Sequence, residues 1–292
     1  MENDIIENMG NSIVQHGKYN SRIYLMKLSK EDFPDIIDKL DKMALENGYS
    51  KIFAKVPSYA VNKFIARDYM PEASIPLSRE QQESEQDRIF FMGKYFNKSR
   101  TFDKSFQDIR DILDLIISKE NISGKNSSKS DLPNGFRCEI CTESNVSQMA
   151  NLYKEVFASY PFPITDPEYI KKTMSENFIY FGIMKDDNIV ALSSCEMDTD
   201  MMHVEMTDFA TLPECRGKGF AMYLLHDMEK EMRKRDMILA YTISRAVSYE
   251  INMVFAKTGY RYGGTLRNNT NISVVETDSD NFESMNVWYK FL

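Results

Sequence analysis

One segment constrains this chain more than any other. Residues 205–221 read E-M-T-D-F-A-T-L-P-E-C-R-G-K-G-F-A. An extended run stops at Pro213, passes two glycines and opens into a helix that carries Ala221, Leu224, Leu225, Met228 and Met232 on one face. Gly217 and Gly219 let the backbone come close to a ligand, and the first N–H groups of the following helix have no acceptor within it. Such a helix start holds anions through its amides and its dipole, and Arg216 and Lys218 add positive charge there. Elsewhere the balance is reversed. Thirty-six Lys and Arg stand against 44 Asp and Glu, a formal net charge of −8. That is the wrong sign for a chain whose main partner is duplex DNA or an anionic membrane, so no nucleic acid and no membrane are expected.

A length of 292 residues with 42% hydrophobic residues suits two globular domains. The composition break lies at residues 118–135, S-K-E-N-I-S-G-K-N-S-S-K-S-D-L-P-N-G, which has no apolar period and reads as a linker. It separates an N-terminal α/β domain at 1–117 from a second domain at 136–292. In the second, strands are expected at 136–142, 178–184, 189–195, 203–211, 237–243, 260–266 and 285–291. Helices are expected along Val146, Met149, Ala150, Tyr153 and Phe157, after Gly219, and at 248–257, closed by Gly259. In the first, strands are expected at 22–28, 50–56 and 88–96, with helices at 36–44, 59–67 and along Phe106, Ile109, Ile112, Leu113 and Ile116, the last packing the two parts together. Residues 50–76 fall in step with 237–266, which suggests a degenerate internal repeat.

Cys138, Cys141, Cys195 and Cys215 are too few and too scattered for a disulfide framework, and none of His16, His203 and His226 completes a zinc spacing. No metal is expected. The first residues, M-E-N-D-I-I-E-N-M-G-N-S, resemble no leader, and no apolar run is long enough to span a bilayer. A cytoplasmic protein is the expectation.

The turn, as Thr211-Leu212-Pro213 followed by Arg216-Gly217-Lys218-Gly219-Phe220-Ala221, resembles the acyl-CoA signature of the GNAT superfamily of N-acetyltransferases. A second segment at 248–260, S-Y-E-I-N-M-V-F-A-K-T-G-Y, resembles that family's other cofactor-contacting helix. The resemblance covers about residues 136–292 and implies an α/β (α+β) acyl-CoA N-acyltransferase fold, a mixed and mostly antiparallel sheet flanked by helices. The N-terminal part would be a degenerate half of the same fold. It implies acetyl-CoA as co-substrate, held by the backbone of Phe209, Ala210 and Thr211, by Arg216, Gly217, Lys218, Gly219, Phe220 and Ala221, and by Ser248, Asn252 and Phe255.

An amine nucleophile is protonated at neutral pH, so transfer requires a base. Glu205 is the first candidate, six residues before Thr211 and therefore on the same face of a regular strand. Asp208 has the opposite parity, which a bulge would reverse, and with His203 it ranks second. Many family members place a Tyr four residues before the helix-ending glycine as the acid for the departing thiolate, and this chain has Phe255. Tyr249, Tyr260 or water are the substitutes.

Residues 156–164 (V-F-A-S-Y-P-F-P-I), 263–272 (G-G-T-L-R-N-N-T-N-I) and 283–290 (E-S-M-N-V-W-Y-K) are similar to the β-lysine N6-acetyltransferase family within that superfamily. This implies acetyl transfer to the terminal amine of β-lysine, giving a compatible solute. The diammonium acceptor needs carboxylates, amides or aromatic faces and one cation. Tyr160, Phe162, Asn268, Asn269, Glu283 and Asn286 are candidates for the first set and Arg267 for the cation. Two alternatives stay open: a relative that acetylates a polyamine, lysine or a protein N-terminus, and a non-catalytic acyl-CoA-binding module. A homodimer is also open, and the N-terminal domain is expected to cover one side of the acceptor cleft.

Overall fold

The computed structural model of the chain describes residues 4–79, 87–122, 132–272 and 282–292. The first half contributes β1 (Ile5–Met9), β2 (Ser12–Gly17), β3 (Arg22–Lys27), α1 (Ile36–Asn47), β4 (Lys51–Pro57), α2 (Val61–Ile65), β5 (Met70–Pro76), β6 (Arg88–Tyr95) and α3 (Phe106–Ile122). The second contributes β7 (Phe136–Ile140), α4 (Val146–Val156), α5 (Pro167–Ser175), β8 (Phe178–Lys185), β9 (Asn188–Asp198), β10 (His203–Thr211), α6 (Phe220–Lys234), β11 (Leu239–Arg245), α7 (Tyr249–Lys257), β12 (Arg261–Thr270) and β13 (Glu283–Phe291).

Local sequence accounts for most of these. In α1 the buried positions Ile36, Ile37, Leu40 and Ala44 follow the helical period, and Gly48 ends the helix at φ 67°. Pro167 opens α5, and the Asp166 carboxylate accepts from the backbone N–H of Glu168. In α6, Leu224, Leu225, Met228 and Met232 are buried against the sheet in one cluster with Val204, Met206 and Trp288.

All thirteen strands form one sheet, in the order β1-β2-β3-β4-β6-β5-β12-β13-β11-β10-β9-β8-β7. Each half has one parallel step, β3 to β4 across α1 and β10 to β11 across α6. In each, the last strand then inserts beside the parallel pair: β6 lies between β4 and β5 as β13 lies between β11 and β12. The order β1-β2-β3-β4-β6-β5 thus repeats β8-β9-β10-β11-β13-β12, with β7 added outside the second copy. The two stretches that fall in step in sequence occupy the same places in the two half-sheets.

The halves meet where β5 runs antiparallel to β12 at Ala73 and Gly264. A side chain at Gly264 (φ 134°) would lie 2.4 Å from the Glu72 carbonyl oxygen, so the join requires glycine there. One apolar cluster spans it, bringing Tyr24, Phe53 and Phe91 against Leu239, Tyr241 and Val287. Lys51 Nζ, fully buried, pairs with Glu72 at 2.9 Å and donates to the Arg267 carbonyl at 2.7 Å. Arg100 reaches the carbonyls of Asn20, Ser21, Asn268 and Asn269. Burial pushes the Lys51 ammonium down to about 8.

Several boundaries differ from expectation. The helix expected at 59–67 is only Val61–Ile65. α3 buries Ile116 in the core of the second half and continues to Ile122, into the segment read as linker; residues 123–131 of that segment lie outside the described residues. β9 extends to Asp198 and β12 through the Asn run to Thr270, because pairing partners across the sheet outweigh the polar character of those residues. β1, β2, β5 and α5 are additions to the sequence reading.

Candidate active site

β10 and β11 pair only from His203 to Glu205 and from Leu239 to Tyr241; beyond that point they part. The gap opens a cavity of about 830 Å³ that runs from the start of α6 to the first half of the chain.

At one end, Gly217 (φ 78°) and Gly219 (φ 76°) form the turn into α6, whose start carries no side-chain cap. A Cβ on Gly217 would meet nothing within 4 Å, so the concavity is open. Arg216 Nε donates to the Thr211 carbonyl at 3.3 Å and Lys218 Nζ to that of Glu214 at 2.9 Å, which leaves both exposed cations beside the orphan amides. Ala210 and Thr211 pair with β9 on one edge, and among the described residues β11 does not reach their other edge. Unpaired amides, two cations and a free strand edge fit the pyrophosphate and the extended amide arm of a CoA thioester. Arg216, Ala221, Ser248, Phe209, Thr211 and Phe255 all line this end. Phe209 meets Phe255 edge-on at 5.6 Å, and Phe255 packs on Tyr260 in turn. This wall is apolar and offers no hydroxyl at position 255.

Asn252 is not at the cofactor surface. It is fully buried, its Nδ2 donates to the carbonyls of Arg245 and Ser248, and its Oδ1 accepts from Asn286 Nδ2 and Trp288 Nε1. Its hydrogen-bonding capacity is spent inside the fold.

The shared face expected of Glu205 and Thr211 is also overturned. Thr207 pairs with Ser194 but Ala210 with Leu192, so Asp208 and Phe209 both oppose Ser193 in a β-bulge, with Asp208 at φ 56°. The extra residue inverts the alternation. Glu205 and Asp208 now face the same end of the cavity, and Phe209 and Thr211 turn to the cofactor side.

Glu205 lies opposite Glu196 in the β9–β10 register, with Lys55 and Tyr241 beside them. Burial, and then Glu196, push the Glu205 carboxyl up to about 8; Lys55 and the Tyr241 hydroxyl pull the other way. Burial raises Glu196 to about 7. Lys55 Nζ, from β4 of the first half, donates to the Tyr241 hydroxyl at 3.0 Å. Asp208 accepts from Tyr160 Oη at 2.6 Å and from Ser194 Oγ, so its carboxylate is engaged. His203 is buried, and burial lowers it to about 4, which keeps it neutral.

Of the residues expected to meet the acceptor, Tyr160, Phe162 and Asn269 line the cavity. The others serve the scaffold. Glu283 is held by Arg245 at 2.7 Å. Asn286 is fully buried between Asn252 and Thr265. Asn268 Nδ2 donates to the carbonyls of Arg100 and Phe102, and the exposed Arg267 lies outside the lining. The reason is that β12 carries the Asn run along the join between halves. Sequence reasoning missed Glu196, one residue beyond the expected strand end, and the first-half residues Arg22, Tyr24 and Lys55, for which sequence held no signal. These three bring the first half into the wall of the cavity.

An anion cradle at a helix start, a splayed parallel pair and a carboxylate with a raised pKa between them define an acyltransferase that draws on an acyl-CoA thioester. The acetyltransferase (GNAT) family profile matches residues 147–252. The chain is 40% identical over 286 residues to the β-lysine N(6)-acetyltransferase of Methanococcus maripaludis, covering 98% of each. It is 38% identical over 177 residues to the enzyme of that name from Methanosarcina mazei, covering 61% of this chain and 63% of the other. Against the N-acetyltransferase YodP of Bacillus subtilis it is 27% identical over 291 residues, 96% of each. The chain belongs to the GNAT acetyltransferases and, within them, to the family of the methanococcal β-lysine N(6)-acetyltransferase.

Proposed function

We propose that the chain transfers the acetyl group of acetyl-CoA to the terminal N6 amine of β-lysine, giving N6-acetyl-β-lysine, a cytoplasmic compatible solute. The observation that carries this is the buried carboxyl of Glu205, which lines one cavity with Glu196 and Asp208 next to the anion cradle. Carboxyls at that point suit an ammonium group that reacts there. The 40% identity to a relative of that name supports the choice of amine.

Glu205, poised near neutrality, takes the proton from the N6 ammonium, directly or through water. The neutral nitrogen then forms a bond to the thioester carbonyl carbon. An N–H on the free edge of β10 stabilises the resulting oxyanion, a contact type worth about 2.7–4 kcal/mol in enzymes. The nitrogen, cationic once the bond has formed, gives its second proton to water, and the C–S bond then breaks. With Phe255 in place of an acid, the thiolate leaves unaided and takes a proton from solvent, which a thiol pKa of about 8.5 permits.

A panel of β-lysine, lysine, spermidine and short diamines with acetyl-CoA tests the assignment. The highest kcat/KM is expected for β-lysine. A better acceptor in the panel overturns the choice of amine, and turnover of none supports a binding module instead.

A further inference from the structure

Two polar atoms of residues that line the cavity have no partner among the described residues. Arg22 on β3 is 3% exposed; its Nη1 donates to the Asn269 carbonyl at 2.9 Å and its Nη2 to Gln15 Oε1 at 3.2 Å, but its Nε–H finds no acceptor. Asn269 on β12 is 2% exposed and its side-chain Oδ1 receives no donor. Both residues line the cavity that holds Glu205. Buried polar groups are almost always paired, so an unpaired donor and an unpaired acceptor on two residues joined by a hydrogen bond and lining one cavity point to a ligand that completes the set.

The surroundings fix the sign of that ligand. The guanidinium lies over the rings of Tyr24 and Phe53, at 5.4 and 5.6 Å. The carboxylate acting most strongly on it, Asp4, is already engaged by the backbone N–H groups of Tyr19 and Asn20 and by Asn20 Nδ2. Lys51 and Arg100 add positive charge on the same side, and Glu72 is bound to Lys51. An anionic group therefore fits against Arg22, and a cationic one against the Asn269 oxygen.

Tyr24 lies on the cavity wall with both Arg22 and Glu205. Arg22 and Tyr24 share one face of β3, about 7 Å apart by strand rise. Tyr24 in turn feels the charges of Glu205 and Glu196. A ligand with its reacting amine at Glu205 and its other end at Arg22 therefore passes Tyr24, which lines the same cavity.

We propose that Arg22 and Asn269 form the head-group pocket of the acceptor site: Arg22 Nε receives the carboxylate and Asn269 Oδ1 the ammonium next to it. The assignment rests on the β-lysine reading above and deepens it, placing the partner of the carboxylate in the half of the chain that lacks the acyl-CoA turn.

Two truncated acceptors test the pocket with the full chain. Pentane-1,4-diamine keeps both amines and lacks the carboxylate; 6-aminohexanoate keeps the carboxylate and lacks the second amine. The unaltered protein is expected to prefer β-lysine over each by about 10–100-fold in kcat/KM, the range for losing a hydrogen bond to a charged group. Arg22→Met should collapse the preference over pentane-1,4-diamine toward unity, Arg22→Lys should restore part of it, and Asn269→Leu should collapse the preference over 6-aminohexanoate.

If Arg22→Met lowers both substrates in proportion and keeps the ratio, the residue is structural and the assignment is overturned. Should that variant fail to fold, the unaltered protein still decides, because equal turnover of β-lysine and pentane-1,4-diamine overturns the pocket by itself. That result leaves β-lysine acetylation standing. Failure to acetylate β-lysine at all overturns both.

Discussion

Glu196 and Glu205 stand directly opposite each other on β9 and β10, two carboxylates from adjacent antiparallel strands at the junction of cofactor cradle and acceptor cavity. Neither can ionise without regard to the other, and the pair titrates as a unit. Burial together with this mutual repulsion lifts Glu205 to about 8, a value suited to receiving a proton from an alkylammonium near neutral pH.

The acetylation rate should follow that ionisation. We expect kcat/KM to rise with pH and to level off above about 8, where Glu205 is deprotonated. Glu205→Gln should lower kcat by about 10²–10⁴-fold. Glu196→Gln removes the opposing charge and should move the limb of the profile to lower pH. A profile unmoved by Glu196→Gln would separate the two carboxylates functionally.

The same shift costs stability. Glu205 rises in the folded protein from 4.5 to about 8, so its stabilising contribution is complete below pH 4.5 and is lost as pH climbs through about 8. Thermal unfolding of Glu205→Gln should therefore match the unaltered protein at pH 4.5 and exceed it at pH 9. Equal melting temperatures at both pH values would contradict burial of the charged form.

CoA binding should depend on the glycine turn. Gly219 lies at φ 76°, and a side chain there would meet only the edge of the Tyr223 ring, 3.9 Å from its Cβ. Aspartate tolerates this backbone region and brings negative charge to the cradle. Gly219→Asp should weaken CoA by about tenfold or more in calorimetric titration, the loss of a single charge-assisted contact, while the left-handed backbone costs about 1–2 kcal/mol of stability and the protein stays folded. Undiminished affinity would place the pyrophosphate elsewhere.

The join between the half-sheets should be sensitive to charge. The side chains of Lys51 and Glu72 are 0% and 5% exposed. Glu72→Gln leaves Lys51 without its counter-charge, at an expected cost of about 3–5 kcal/mol in urea unfolding. A loss below about 1 kcal/mol would show that the Arg267 carbonyl alone satisfies the lysine.

The glycine turn, the helix faces of α1, α4 and α6 and the positions of the second half's strands along the chain were legible in the sequence. Each rests on short-range rules: backbone freedom at Gly217 and Gly219, apolar periodicity, capping. The strand that carries Glu205 was legible as well, but the face on which Glu205 lies relative to Thr211 was not, because the bulge at Asp208 has no local signal. The first-half strands β1 and β2 were not, because their alternation is weak and their pairing partners lie across the sheet.

What the tertiary structure decided is which groups remain free and which are charged. Asn252 and Asn286 carry amides of the right type for ligand contact, yet each finds partners from distant strands and is spent. The bulge at Asp208 reverses the side of every residue after it. Arg22, Tyr24 and Lys55 reach the acceptor cavity only because two half-sheets of the same strand order join at Ala73 and Gly264. Sequence fixes short-range geometry through local sterics; desolvation and hydrogen-bond saturation depend on neighbours that only the completed sheet brings together.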